Sequence, residues 1–192
     1  MAGGSASSLS TTKKICIAGG GNAAHALAAL LPHKGYETSM FCPFRDQAEQ
    51  IREGIAEQDG YMIANFASHN TPLGIVKGKP TVVSKDAKDV ISDADVIIMP
   101  LPSFAYPSTI EGIKPYLKEG QIIVTPGQGG FDWFAKDILG EELLNKITIC
   151  GIMPMPFNWI ETFGKLVNVQ ELKKKYSKCN AIEETTWMYW FS

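Results

Sequence analysis

Histidine and cysteine are scarce in this 192-residue chain, at three and four copies. There is no C-x-x-C pair and no histidine at metal-ligand spacing, so a zinc site is not expected. Cys16 and Cys150 fall inside apolar, strand-like runs, where a thiol behaves as a small buried hydrophobe. That usage reads as a reduced, cytoplasmic protein. An excess of charge of one sign is also missing. Eighteen basic against 20 acidic residues leave a net charge of −2, which offers no field to nucleic acid or to an anionic membrane. No apolar run approaches the ~18 residues of a membrane span. Residues 1–13 are mostly small and polar with no apolar h-region, so a disordered leader is expected there and not a secretory signal.

What remains is the composition of an ordinary globule, 45% apolar and 20% charged, long enough for one domain with a sizeable core. Its most informative stretch runs from Lys14 to Ala28. Ile15, Cys16, Ile17 and Ala18 lead into Gly19-Gly20-Gly21, and an alanine-rich helical pattern follows at once. Gly19, Gly21 and Ala24 hold the three positions of G-x-G-x-x-A, the dinucleotide-binding turn. The first glycine permits the tight turn and the second lets backbone approach a pyrophosphate. The small third residue lets the helix pack on its strand. A helix N-terminus offers N–H groups and partial positive charge to phosphates.

The rest of the chain repeats the alternation. The first helix is expected to stop near Leu31, ahead of Pro32 and Gly35. Residues 36–42 read as a strand. Pro43 then opens a helix with Phe44, Ala48, Ile51 and Ile55 on one face. Residues 61–83 suggest an inserted β-hairpin, and residues 86–92 a short helix. Residues 95–99 form an apolar buried strand. Pro107 starts a helix carrying Ile110, Ile113 and Leu117, and residues 121–125 and 146–151 supply two further strands. Residues 165–170 are a candidate for one more. This order predicts a Rossmann-type, doubly wound α/β fold, with a mainly parallel six-stranded sheet and an inserted hairpin. Its ligand belongs at the carboxyl ends of the strands, where the glycine turn and residues 42–45, 100–104 and 127–130 all fall.

With these segments in place the chain resembles the NAD-binding domain of the opine dehydrogenases, of the octopine and tauropine type. The similar stretches are Gly19-Gly20-Gly21-Asn22-Ala23-Ala24-His25, Ala94-Asp95-Val96-Ile97-Ile98 leading into Pro102-Ser103-Phe104-Ala105, Lys136-Asp137-Ile138-Leu139-Gly140, and Phe163-Gly164-Lys165-Leu166-Val167-Asn168-Val169. More distantly it looks like the N-terminal domain of glycerol-3-phosphate dehydrogenase. The resemblance implies reductive condensation of an α-keto acid, such as pyruvate, with an amino acid, at the expense of NADH. In that family the acid/base histidine lies in a second domain. The resemblance fades by about Glu171, so a dinucleotide-binding domain is expected over residues 14–170 and a tail without family resemblance over 171–192. The second domain is expected to be absent, and turnover by this chain alone is not expected. A small-molecule substrate would bind only with that domain supplied. A non-catalytic module that binds cofactor or a partner, and a glycerol-3-phosphate-dehydrogenase-like domain, are the alternatives.

No catalytic residue is assigned. His25 starts the first helix, His33 lies at its exit and His69 in a turn. The residues expected at the cofactor are Gly19, Gly20, Gly21, Asn22, Ala23, Ala24, Cys42, Arg45, Leu101, Pro102 and Phe104. Asn22 and Ala23 offer backbone N–H groups, with a helix cap as the plain alternative for Asn22. Cys42 stands about 20 residues past the glycines, where NAD enzymes usually carry a ribose-binding acid. Arg45 stacks on adenine or meets a 2′-phosphate. Asp46 substitutes for the missing acid or only favours a helix dipole. NAD is the expected cofactor, with NADP open. Leu101, Pro102 and Phe104 line the nicotinamide ribose or simply pack. Gln128 faces substrate by the resemblance, or is a polar turn residue.

Overall fold

The computed structural model describes residues 12–68, 71–126, 130–152, 157–160 and 167–171. The apolar run before the glycines becomes the central strand β1 (Lys14–Ala18), buried on both faces. Ile15 and Ile17 face one layer of core, Cys16 and Ala18 the other, as the two-residue period of a strand requires. Helix α1 (Asn22–His33) follows, then β2 (Glu37–Phe41), α2 (Gln47–Ala56), the hairpin β3 (Met62–Ser68) and β4 (Thr71–Gly78), and β5 (Val82–Ser84). The second half runs β6 (Val96–Ile98), α3 (Tyr106–Ile113), β7 (Ile122–Pro126), α4 (Phe131–Leu139), α5 (Glu141–Leu144) and β8 (Thr148–Ile152). Strands β9 (Phe157–Ile160) and β10 (Val167–Glu171) complete the described elements.

The six-stranded sheet has the order β5-β2-β1-β6-β7-β8, and every neighbouring pair in it is parallel. Chain order reverses between β1 and β6, so the topological switch point of the sheet lies there, at the carboxyl ends of the strands. A smaller sheet, β4-β3-β10-β9, contains the hairpin. Its inward residues Met62, Ala64, Phe66 and Val76 share one core with α1, α2 and the main sheet. The opposite core joins α3 and α4 to the other face.

This arrangement explains the alanine content of α1. The helix lies between two sheets, with Ala23, Ala24, His25, Ala26, Leu27, Ala28, Ala29 and Leu31 all buried. Small side chains let both sheets approach the helix axis. The approach is closest at Gly78 of β4, where an added Cβ would run into the Ala29 carbonyl oxygen and stand 2.8 Å from that of Ala28. Pro32, four residues on, has no N–H to give the Ala28 carbonyl.

At the other end of the sheet, buried Gln121 ties two connections together. Its amide nitrogen donates to the carbonyls of Ile91 at 2.7 Å and Ala94 at 2.8 Å, and its oxygen accepts from the Lys118 N–H at 2.7 Å.

Several expectations are corrected. Helix α1 does not stop at Leu31 but includes Pro32 in its last turn. The missing N–H costs one bond, and Lys34 N–H still closes onto Leu30 at 3.0 Å. Helix α2 starts at Gln47 and not Pro43, because Arg45 adopts a left-handed φ of 49° that no helix accommodates. Phe44 is therefore not on the buried face; it is 59% exposed. Residues 82–84 belong to the main sheet, as the edge strand β5 beside β2, and not to the hairpin. The short helix near residue 88 is a single 3-10 turn, Ala87–Asp89. Strand β9 was not anticipated. The expected strand near residues 165–170 is β10, and Pro107 lies in the first turn of α3 as expected. The leader up to residue 11 and the tail from residue 172 lie outside the described residues.

Candidate dinucleotide site

The three glycines after β1 occupy their positions for three different reasons. Gly19 has φ +145°, and a Cβ there would sit 2.9 Å from Leu101 Cδ2, across the crevice. Gly20 is pressed from the other side, by the Gln47 side-chain oxygen at 2.7 Å and Ile51 Cδ1 at 3.2 Å from an added Cβ. Gly21 has ordinary extended angles, φ −87° and ψ −171°, and an added Cβ would meet nothing within 4 Å. Neither strain nor protein packing accounts for a glycine at that position; its bare backbone faces open space, as the second glycine of a dinucleotide turn does.

Gly21 is also the N-cap of α1, so Asn22 is the first helical residue and not its cap. Ala23 and Ala24 place first-turn N–H groups at this end with no acceptor inside the helix, and no acidic residue lies in the turn. The turn is held from below by two bonds. Gly19 N–H donates to the Phe41 carbonyl at 2.8 Å, and the Cys42 thiol donates to the Gly19 carbonyl at 3.4 Å. Cys42 is fully buried, and burial pushes its thiol up to about 12. Its side chain thus braces the glycine turn from inside and does not reach outward to a ribose.

His25 is buried in the first two turns of α1 and its Nδ1 lies 3.0 Å from the Gly21 carbonyl. A carbonyl only accepts, so Nδ1 carries a proton, and burial favours the neutral ring. Burial lowers its pKa from 6.5, opposed by that hydrogen bond. The unfolded chain takes up a proton on this residue below 6.5 and the folded chain does so only at lower pH. Stability is therefore full above that value and falls with pH below it. Urea midpoints at pH 7.5 and pH 5.5 should differ more for the natural chain than for His25→Gln. Equal differences would remove His25 as the cause.

Beyond β2, the Arg45 guanidinium lies 5.0 Å from the centre of the Phe44 ring. Lys85, just past β5, donates from Nζ to the Arg45 carbonyl at 3.0 Å. Asp46 is the N-cap of α2, and its carboxylate accepts from Gln50 Nε2 at 2.8 Å. Across the switch point, Leu101 closes on Gly19 and Pro102 is exposed, while Phe104 is 85% exposed. Gln128, with Gly127 and Gly129, lies outside the described residues, as do Met153, Met155 and His69. His33 is exposed.

The fold therefore brings the glycine turn, the start of α1, residues 42–47 and residues 101–104 to one end of the sheet. Sequence reasoning missed Gln47 and Lys85. Gln47 was hidden by assigning the helix start to Pro43, and Lys85 by treating residues 81–83 as hairpin. Among the described residues no cluster of His, Cys, Asp and Glu could hold a metal ion. Nor is any helix among them long and apolar enough to cross a membrane.

Residues 14–153 match the family described as the NAD-dependent glycerol-3-phosphate dehydrogenase N-terminus. The chain is 32% identical over 161 residues to octopine dehydrogenase of Pecten maximus, covering 82% of this chain and 40% of that protein. It is also 32% identical over 162 residues to tauropine dehydrogenase of Arabella iricolor, covering 83% and 40%. A solved octopine dehydrogenase with NADH and L-arginine superposes with a TM-score of 0.75 at 31% identity, over 82% of this chain and 39% of that one. The chain spans about two-fifths of the length of these relatives.

Proposed function

The chain belongs to the NAD-dependent glycerol-3-phosphate dehydrogenase N-terminus family, and from that membership we propose that it binds NAD(H) for an opine-dehydrogenase-like reduction. The observation that carries the reading is the open face of Gly21, where a Cβ would meet no protein atom within 4 Å. Pyrophosphate would rest on the Gly19-Gly20-Gly21 turn and the first N–H groups of α1, where the helix dipole favours negative charge. When bound, the cofactor supplies the hydride. The chain's own residues bind and orient it. Leu101 sets the width of the crevice against Gly19, and exposed Phe104 offers an apolar wall at the end of β6.

The substrates in this reading are an α-keto acid such as pyruvate and the amino group of an amino acid. They are drawn from the relatives, among which octopine dehydrogenase has been solved with NADH and L-arginine. Gln128 is proposed to face them. No general acid or base is assigned: His25 is buried and bonded to the Gly21 carbonyl, and exposed His33 lies in the last turn of α1, at the opposite end from the glycine turn. Proton transfer in the condensation is proposed to use groups outside the described residues.

Calorimetric titration of the purified chain with NADH tests the proposal. Saturable binding at one site per chain is expected. A chain shown to be folded by circular dichroism that takes up no NADH would overturn it.

A further inference from the structure

Of the two described histidines, His33 is exposed and His25 is fully buried. A task for His25 follows once the cofactor lies on the glycine turn as proposed above, and it rests on that placement. Gly19-Gly20-Gly21 puts three residues without a Cβ in a row, and glycine has the freest backbone of any residue. A pyrophosphate site needs the opposite, N–H groups already held in fixed directions. Many helices fix their first turn with an N-cap side chain that accepts from the second or third N–H. α1 has no such cap, because its N-cap is Gly21. A capping side chain would also take the donors that a phosphate requires.

The restraint comes from behind instead. The Gly21 carbonyl accepts the His25 backbone N–H at 3.1 Å and the Nδ1–H of the same residue at 3.0 Å. The first bond belongs to any α-helix. The second is extra, and it fixes the roll of the peptide about the first. The ring that makes it is 0% exposed in a helix packed between two sheets, so it has little freedom of its own. The Gly21–Asn22 peptide is planar and trans, so its N–H points opposite to its carbonyl. A carbonyl held down the helix therefore aims that N–H out of the N-terminus.

We propose that His25 is a positioning residue for the pyrophosphate of the cofactor, fixing the Gly21–Asn22 peptide through Nδ1 without touching the ligand. The turn is then bare on the side that meets phosphate and rigid on the side that meets the core. Without the Nδ1 bond the glycines are ordered only as the ligand binds, and the entropy of that ordering is lost from affinity.

The test is calorimetric titration of the full chain and three variants with NADH and with ADP-ribose, which keeps the pyrophosphate and lacks nicotinamide. His25→Asn retains a donor at the place of Nδ1 and discards the rest of the ring. His25→Gln puts its amide one bond further out and loses that donor, and His25→Leu has no donor at all. Gln and Leu are expected to bind both ligands about tenfold more weakly, with Asn within about threefold of the natural chain. Urea unfolding should rank them differently, with Asn less stable than Leu because it leaves a void. Equal losses in Asn and Gln, or affinities that follow stability, overturn the proposal as a packing effect. A loss confined to NADH overturns it too, by placing the effect at the nicotinamide. So does a folded His25→Gln chain that binds like the natural one. Nitrogen NMR of the natural chain needs no variant. Phosphate at the N–H polarises the whole peptide, so NADH should move the His25 Nδ1 signal, and a signal unmoved at saturation overturns the role. A natural chain that binds neither ligand overturns the cofactor reading itself, and the role of His25 with it.

Discussion

Gly21→Val should leave the chain folded and abolish NADH binding at concentrations that saturate the natural chain. The angles at Gly21 lie in the extended region that β-branched residues favour, and an added Cβ meets no protein atom. Losing a glycine for valine at an N-cap costs at most about 1 kcal/mol of stability. The isopropyl group instead fills the space in which a pyrophosphate must approach the first N–H groups of α1. Each charge-assisted bond denied is worth roughly 1.5–3 kcal/mol, so the loss of two or more predicts a fall in affinity of at least about a hundredfold. The measurement is the same calorimetric titration, run beside a thermal melt. A valine variant that binds NADH like the natural chain would show that the cofactor does not lie on this turn. Gly19→Val is the contrasting case, because its φ of +145° and its contact with Leu101 belong to the fold itself.

Gly78→Ala should have the largest effect on stability of any single methyl group added to the described chain. The new Cβ runs into the Ala29 carbonyl oxygen and stands 2.8 Å from the Ala28 oxygen and from the Ala29 carbonyl carbon. These are backbone atoms of a helix buried between two sheets, and no rotamer change relieves them. Strand β4 must withdraw, and Met62, Phe66 and Val76 lose their seat on α1. The cost expected is about 3 kcal/mol, the upper part of the range for overpacking. Gly112→Ala is the control. It lies in α3, and an added Cβ there meets nothing within 4 Å, so alanine should stabilise by about 0.5–1 kcal/mol through helix propensity. Urea unfolding of the two variants checks both signs. A Gly78→Ala chain as stable as the natural one would mean that the small sheet is not seated on the helix.

Periodicity and punctuation made the plan of the fold legible. β1, β6 and β7 announce themselves as continuous apolar runs, and the turn chemistry between elements separates strand from helix. The G-x-G-x-x-A spacing located the site within the chain. It failed where local signals were weaker than tertiary ones. Pro32 looks like a stop, yet only one hydrogen bond is at stake in a last turn, and burial between two sheets outweighs it. Phe44 fits the helical face four residues before Ala48, yet the left-handed Arg45 detaches it and leaves it in solvent. Residues 82–84 are too short to declare a partner, and only pairing with β2 brings them into the main sheet.

The amino-acid sequence by itself determined the fold class, the family and the place of the glycine turn, because all three depend on local chemistry: where apolar runs lie, where the backbone can turn, and where a side chain is missing. The tertiary structure decided what surrounds that turn. Which way the Cys42 thiol points, that Gln47 lies over Gly20 and that Lys85 stands beside Arg45 are set by packing between segments 23 to 40 residues apart. A residue's type fixes the chemistry it offers, and long-range packing fixes what that chemistry meets.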